Sequence, residues 1–302
     1  MDDLKARYYL YIVTAAFLWG MIALLYNELA AGGLSQMQVV AVRALVSGVL
    51  LTGYLAIFDR GALRINWKDC WIFAGTGMLS FVLFNYCYFM SIDLVSVSVS
   101  VVLLNTAPIF IMIISAICFH DRITRKKLVA LVITITGCIL VTGVLNADPA
   151  AFSPAGILYG VASGFCYGLY SVFGSLAVRK GYSSITITAY TFLFAALGSL
   201  PLCSPAKLFP LLHGKTLLAA LAIGALVTLL PFLLFTKGLT RIDSGTASII
   251  ATMELVFASL VGLLILGDSF TWGKLVGDLL IIFSVITLNT KLFDKNTVQT
   301  GG

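Results

Sequence analysis

His120-Asp121-Arg122-Ile123-Thr124, followed by Lys127-Leu128-Val129, returns as Gly267-Asp268-Ser269-Phe270-Thr271, followed by Lys274-Leu275-Val276. Asp, Thr, Lys, Leu and Val coincide at a shift of 147 residues. Nearer the start, Phe17-Leu18-Trp19-Gly20 returns as Phe165-Cys166-Tyr167-Gly168 at a shift of 148. Two soft matches with nearly one shift support each other, and an internal period decides an architecture before any single element does. The chain reads as one unit written twice.

Composition says what that unit is. Of 302 residues, 60% are hydrophobic and 11% charged, against roughly 45–50% and 25% in soluble domains. This excludes a water-soluble enzyme, a disordered tail and a coiled coil. Apolar stretches run at about 9–28, 37–58, 70–91, 95–118, 127–146, 155–178, 185–204, 216–236, 244–266 and 272–290. Each approaches the roughly 20 residues that a spanning helix needs. The sequence therefore predicts an all-α integral membrane protein of ten transmembrane helices. Residues 9–146 hold the first five, residues 155–290 the second five, and residues 291–302 form a tail. The first stretch is too long for a cleaved signal peptide and reads as helix 1.

Basic loops stay cytoplasmic. With the N-terminus inside, Lys5, Arg7, Arg60, Arg64, Lys68, Arg122, Arg125, Lys126, Lys127, Arg179, Lys180, Lys237, Arg241, Lys291 and Lys295 all fall inside. Lys207, Lys215 and Lys274 fall outside, and Arg43 lies within a helix. Both termini are then cytoplasmic, and the net charge of +6 needs no nucleic-acid partner. Five helices per unit is an odd number, so the second unit enters the membrane from the opposite face. Inverted repeats of this kind are a recurrent design of secondary transporters, with the substrate site at the repeat interface.

The residues also resemble a known family. Phe235, Gly238-Leu239, Ile242-Asp243-Ser244-Gly245-Thr246-Ala247-Ser248-Ile249, Glu254-Leu255-Val256-Phe257-Ala258, Gly267-Asp268 and Gly277 resemble the second EamA domain of the drug/metabolite transporter superfamily. Ser98, Ser100, Pro108-Ile109-Phe110, Asp121 and Gly137 repeat the pattern more loosely, and the resemblance covers about 9–290. It implies a transporter of small metabolites: amino acids, choline-like amines, nucleotide-related compounds or drugs. That family often carries Glu where this chain has Asp121 and Asp268, and the shorter acids are expected to keep an interfacial cap. It often carries Pro where this chain has Leu255, so helix 9 is expected to be straighter than helix 4, where Pro108 removes a backbone hydrogen bond. The resemblance also implies that helices 5 and 10 are peripheral.

Charges inside lipid are expensive and mark function. Arg43, Glu254 and Asp278 qualify. Glu254 lies near the middle of its span, where it could exchange a proton or bind a cation directly. The plainer alternative is a neutral Glu254 hydrogen-bonded to Ser248 or Thr252. Asp278 lies one turn after Lys274, a spacing that suggests an ion pair on one helix face. Arg43 could clamp a substrate carboxylate or serve as a packing anchor. Trp19 and Tyr167, as repeat partners, join Asn85, Tyr86, Tyr88, Tyr170, Tyr190 and Phe232 as candidate cavity residues, and aromatic faces with a carboxylate suit an ammonium group. Gly156, Gly160, Gly164 and Gly168 form a smooth face on helix 6, expected as an internal seam in preference to a dimer contact.

Cys70, Cys87, Cys118, Cys138, Cys166 and Cys203 fall in or at the ends of apolar stretches without a C-x-x-C pair, so neither disulfides nor zinc are indicated. His120 and His213 sit in separate loops, and neither G-x-S-x-G nor a Walker A loop occurs. No metal, cofactor, enzyme activity or ATP-driven pumping is expected. The expectation is a monomeric or homodimeric secondary transporter in a bacterial-type plasma membrane. It would carry a cationic or zwitterionic amine, including an amino acid, between Trp19, Asn85, Tyr86, Tyr167, Tyr170 and Glu254, with Arg43 as the carboxylate partner of a zwitterion. Protons are the candidate coupling ion through Glu254, and membrane lipid is the surrounding partner. The alternatives are a nucleotide-derived or lipid-linked substrate, or a non-transporting membrane scaffold.

Overall fold

The computed structural model describes residues 3–146 and 153–289, with side chains from Ala6 to Leu288 except 147–152. The predicted tail at 291–302, with Lys291 and Lys295, lies outside the described residues. Among those described there is no strand. Ten rods follow one another: α1 (Asp3–Gly20, continued after Met21 by Ile22–Ala31), α2 (Gln36–Phe58), α3 (Trp67–Leu94), α4 (Val97–Phe119), α5 (Arg125–Thr142), α6 (Pro154–Arg179), α7 (Ser184–Cys203), α8 (Gly214–Leu239), α9 (Ser244–Leu266) and α10 (Trp272–Asn289). Among the described residues all but α5 and α10 are long and apolar enough to cross a membrane, making eight candidate spans.

Local chemistry sets the boundaries. Ser96, Thr124, Ser153, Ser183 and Asp243 each accept a backbone N–H in the first turn of the rod they precede, satisfying donors that helix geometry leaves orphaned. α5 stops where Gly143 turns left-handed at φ +66°, a conformation that costs glycine little. The caps of α5 and α10 come from the hydroxyls of Thr124 and Thr271, which accept from Lys127 N and Lys274 N. Asp121 and Asp268, expected as caps, instead form ion pairs with Arg179 and Lys274.

Packing repeats as the sequence does. α3 lies on α6 as α8 lies on α1, α4 touches α6 as α9 touches α1, and the pairs α2–α7 and α5–α10 meet their own counterparts. Exchanging the halves maps each of these contacts onto another or onto itself, so the halves are related as by a two-fold axis. Between α5 and α10, Gly137 and Gly277 bring the backbones together: a Cβ on either would strike the other's carbonyl oxygen at 2.9 and 2.6 Å. The buried hydroxyl of Thr134 donates to that of Ser284 at 2.7 Å in the same seam. The glycine stripe of α6 is also an internal seam, facing Leu94 at the end of α3, Val95 just after it, and Leu103, Thr106 and Ala107 of α4. Absent side chains let helices approach closely where lipid supplies no hydrophobic drive.

Candidate functional site

Both α4 and α9 are interrupted at repeat-equivalent points. α4 breaks at Asn105 and Thr106, and α9 at Thr252. Pro108 sits in the first turn after the α4 break, where its missing N–H costs nothing. Contrary to expectation, α9 breaks without a proline. Thr252 donates its hydroxyl to Ile249 O at 2.7 Å, competing with the backbone for an acceptor, as Thr106 does for Leu103 O at 2.6 Å. Glu254 therefore lies in the first turn of a new half-helix, Met253–Val261, at its positive dipole end. Its repeat equivalent is Ala107, so only one half carries the acid.

The cavity between the halves is lined by Trp19, Ser80, Phe81, Phe84, Tyr167, Tyr170, Ser171, Phe232, Phe235, Ser248 and Ala251, and holds about 380 Å³ of empty space, its open mouth included. Its walls are aromatic. Phe232 receives Trp19, Phe81, Tyr170 and Phe192 edge-on at centroid distances of 5.3, 5.7, 4.8 and 5.2 Å, and Phe84 meets Tyr167 at 5.3 Å. The Tyr170 and Thr236 hydroxyls share a hydrogen bond of 2.5 Å. That bond occupies Tyr170's polar end and leaves its ring to the cavity.

The expected site residues fall in different places. Trp19, Tyr167 and Tyr170 come together on the cavity wall. Asn85 is buried one turn from Phe81, donating Nδ2–H to Phe81 O at 2.7 Å, and does not line the cavity. Tyr86 is 37% exposed and is not brought to the cavity. The Tyr190 hydroxyl donates to Leu63 O at 2.7 Å and belongs to the packing between α7 and the α2–α3 connection. Glu254 is not among the lining residues, yet its carbonyl lies 3.0 Å from where a Cβ on Gly20, the neighbour of Trp19, would sit. Among the described residues it has no hydrogen-bond or ion-pair partner. Ser248 and Thr252, offered as partners for a neutral Glu254, donate to backbone carbonyls instead.

Arg43 is 8% exposed. Its Nε–H donates to Thr228 Oγ1 at 3.0 Å, and its guanidinium lies 5.2 Å from the centre of the Phe81 ring. It stands behind the cavity wall and ties α2 to α8 and α3. Asp278 does not pair with Lys274 as its spacing suggested. Lys274 reaches Asp268 at 3.2 Å, and Asp278 Oδ1 is buried without a hydrogen bond among the described residues. Phe81, Phe84, Phe235, Ser80 and Ser171 are cavity residues that the sequence did not single out. The signal for Phe235 and Ser171 was available, since both lie one turn from a nominated neighbour.

Two helical halves exchanged as by a two-fold axis, with broken helices meeting beside an aromatic cavity, are the build of a multi-pass membrane transporter. Residues 6–143 and 154–290 each match the EamA-like transporter family, and the chain belongs to that family. It is 26% identical to an uncharacterized inner membrane transporter, YicL, of Salmonella typhimurium over 92% of this chain and 93% of that protein. With the uncharacterized transporter YwfM of Bacillus subtilis it shares 23% identity over 97% of each. It is also 26% identical to the threonine/homoserine exporter RhtA of Escherichia coli over 62% of this chain and 60% of the exporter. A solved crystal structure superposes with a TM-score of 0.79 at 19% identity, covering 97% of this chain and 99% of the other. The family and the apolar helices make this a multi-pass inner-membrane transporter.

Proposed function

We propose that the chain is a secondary transporter that moves a small cationic or zwitterionic amine, amino acids included, by alternating access between its halves. All ten rods cross the membrane in this reading, both termini are cytoplasmic, and residues 9–146 and 155–290 are inserted in opposite senses. The observation that carries it is Glu254, a carboxyl without an ion partner among the described residues, in the first turn of a half-helix whose backbone lies against Gly20, the neighbour of Trp19 on the cavity wall. Ring faces attract an ammonium group, and a carboxylate just behind them adds charge complementarity. Protonation of that carboxylate would release the amine, which couples transport to protons.

Trp19, Tyr167 and Tyr170 form the cage, with Asn85 supporting the wall through Phe81. Tyr86 faces away in the present geometry and enters the site only in another state of the cycle. For Arg43 the geometry favours the role of packing anchor, since Thr228 and Phe81 already engage it. RhtA, named a threonine/homoserine exporter, supports a zwitterionic amine. A nucleotide-derived or lipid-linked substrate would call for several cations at the cavity, and the lining holds none.

The test is a thermal-shift screen of the purified full chain against amines, amino acids and nucleosides, because a ligand that binds only the folded state raises apparent stability. Amines or amino acids should raise the transition in the native protein and not in Glu254→Gln. A response to nucleosides alone would overturn the reading.

A further inference from the structure

Three of the four ion pairs between described residues join one half of the molecule to the other, and all three lie at the same end. Lys127 at the start of α5 meets Asp243, the N-cap of α9, at 2.7 Å. Asp121 before α5 meets Arg179 at the end of α6 at 3.0 Å. Asp69 at the start of α3 takes Lys180 at 2.7 Å and the Tyr182 hydroxyl at 2.7 Å. The fourth, Lys274 with Asp268, lies at the opposite end and stays within the second half.

The repeat explains why, among the described residues, ion pairs tie the halves at one end and not at the other. Lys127 and Lys274 are equivalent, and so are their flanking Thr124 and Thr271. The equivalent of Asp243 is Ser96, which caps α4 through its hydroxyl just as Asp243 caps α9. Serine keeps the cap and lacks the charge. Among the described residues Lys274 therefore forms no ion pair across the interface and turns to Asp268 in its own half. Beneath the Lys127–Asp243 pair the halves also close sterically, since a Cβ on Gly245 would lie 2.9 Å from Met112 Cγ. A cleft lined by Met112, Ser115, Asp121, Lys127, Asp243 and Gly245 runs behind the pair, and the buried Ser115 hydroxyl in its wall has no partner among the described residues.

We propose that Lys127 and Asp243 form a one-sided latch that holds their end of the bundle shut in the resting transporter and must part in each cycle. The opposite end, with Ser96 in place of the acid, closes without a counterpart. The proposal rests on the alternating-access reading above; in the orientation given there, the latched end is cytoplasmic.

Hydrogen exchange followed by mass spectrometry on the purified full chain tests it without a known substrate. Asp243→Asn breaks the ion pair and keeps the helix cap, because asparagine caps as well as aspartate; Lys127→Gln breaks it from the other side. In both, residues 107–119 and 244–251 should exchange faster, by about tenfold, equal to about 1.4 kcal/mol. Residues 91–97 and 266–272 at the opposite end should exchange more slowly. A merely local loosening would speed the first set without slowing the second, and that result would overturn the latch. Ser96→Asp with Asp268→Asn supplies Lys274 with an acid across the interface and should produce the reverse pattern. If only this variant shifts both ends, the latch is wrong and alternating access stands; if no variant shifts them reciprocally, alternating access is wrong as well.

Discussion

Gly20 of α1 lies directly against Glu254 of α9: a Cβ at Gly20 would sit 3.0 Å from the Glu254 carbonyl oxygen, 2.9 Å from Ala258 N and 2.6 Å from Phe257 Cβ. The equivalent contact in the other half is Gly168 against Ala107, where a Cβ would lie 3.4 Å from the carbonyl and 3.0 Å from Ile111 Cγ1. The same backbone approach thus occurs twice, and only one copy holds an acid. Gly20→Ala must push α1 away from the half-helix that carries Glu254, at a cost of about 1–3 kcal/mol for overpacking. Gly168→Ala meets mainly an adjustable side chain and should cost less. Gly53, with nothing within 4 Å, is the control. Thermal denaturation of the three variants should rank them Gly20 worst, then Gly168, then Gly53.

Trp19 packs edge-on against Phe232 and lines the cavity. Replacing it by leucine removes a ring face from the cage, and amine affinity should fall by about 0.5–2 kcal/mol. The affinity loss is to be compared for a quaternary amine and an uncharged analogue in competition binding. Equal losses for both would point to packing alone.

Arg43 offers a cleaner separation of roles. Arg43→Lys keeps a positive charge but loses the Nε–H bond to Thr228 and the guanidinium contact with the Phe81 ring, and the two cations are not interchangeable at such a site. As an anchor, its loss should lower the melting transition and weaken a plain amine and an amino acid alike. Selective weakening of the amino acid would show instead that the guanidinium holds a carboxylate.

The latch carries a pH signature. Burial alone would raise the Asp243 carboxyl, but the hydrogen bond and charge of Lys127 and the N–H and hydroxyl of Thr246 outweigh it and hold the group below its ordinary 3.8. Tyr9, Asp121 and Arg122 also face this region. A carboxyl lowered on folding contributes stability above its unfolded value that is lost as pH falls through the folded one. The latch should therefore be indifferent to pH from neutrality down to about 4 and weaken only in stronger acid. Exchange of residues 244–251 against pH, corrected for intrinsic rates, checks this.

How much of this was written in the sequence depends on how local each feature is. The repeat, the Trp19–Tyr167 pairing and the glycine seam of α6 all rest on spacing within one helix or on a fixed shift, and they were legible. Tyr86 was not. α3 contains a wide-turn segment from Gly75 to Val82, and each residue added to a helical turn rotates the following side chains by about 100°. After that segment Phe84 lines the cavity and the neighbouring Tyr86 does not. Lys274 was misassigned to Asp278 because one helical turn is only one of its choices, and a loop acid was within reach. The Lys127–Asp243 contact joins residues 116 apart, and no spacing rule finds it. The break in α9 was hidden because Leu255 stands where proline would have marked it, and Thr252, where the helix breaks, is a common residue in apolar helices.

Amine transport by purified protein in proteoliposomes, measured for the native chain and Glu254→Gln between about pH 5.5 and 8, addresses the coupling group most directly. The native protein should show counterflow that changes across this range, and the variant should lose the pH response together with amine binding while still melting cooperatively. A Glu254→Gln protein that transports like the native one at every pH would contradict the assignment of Glu254.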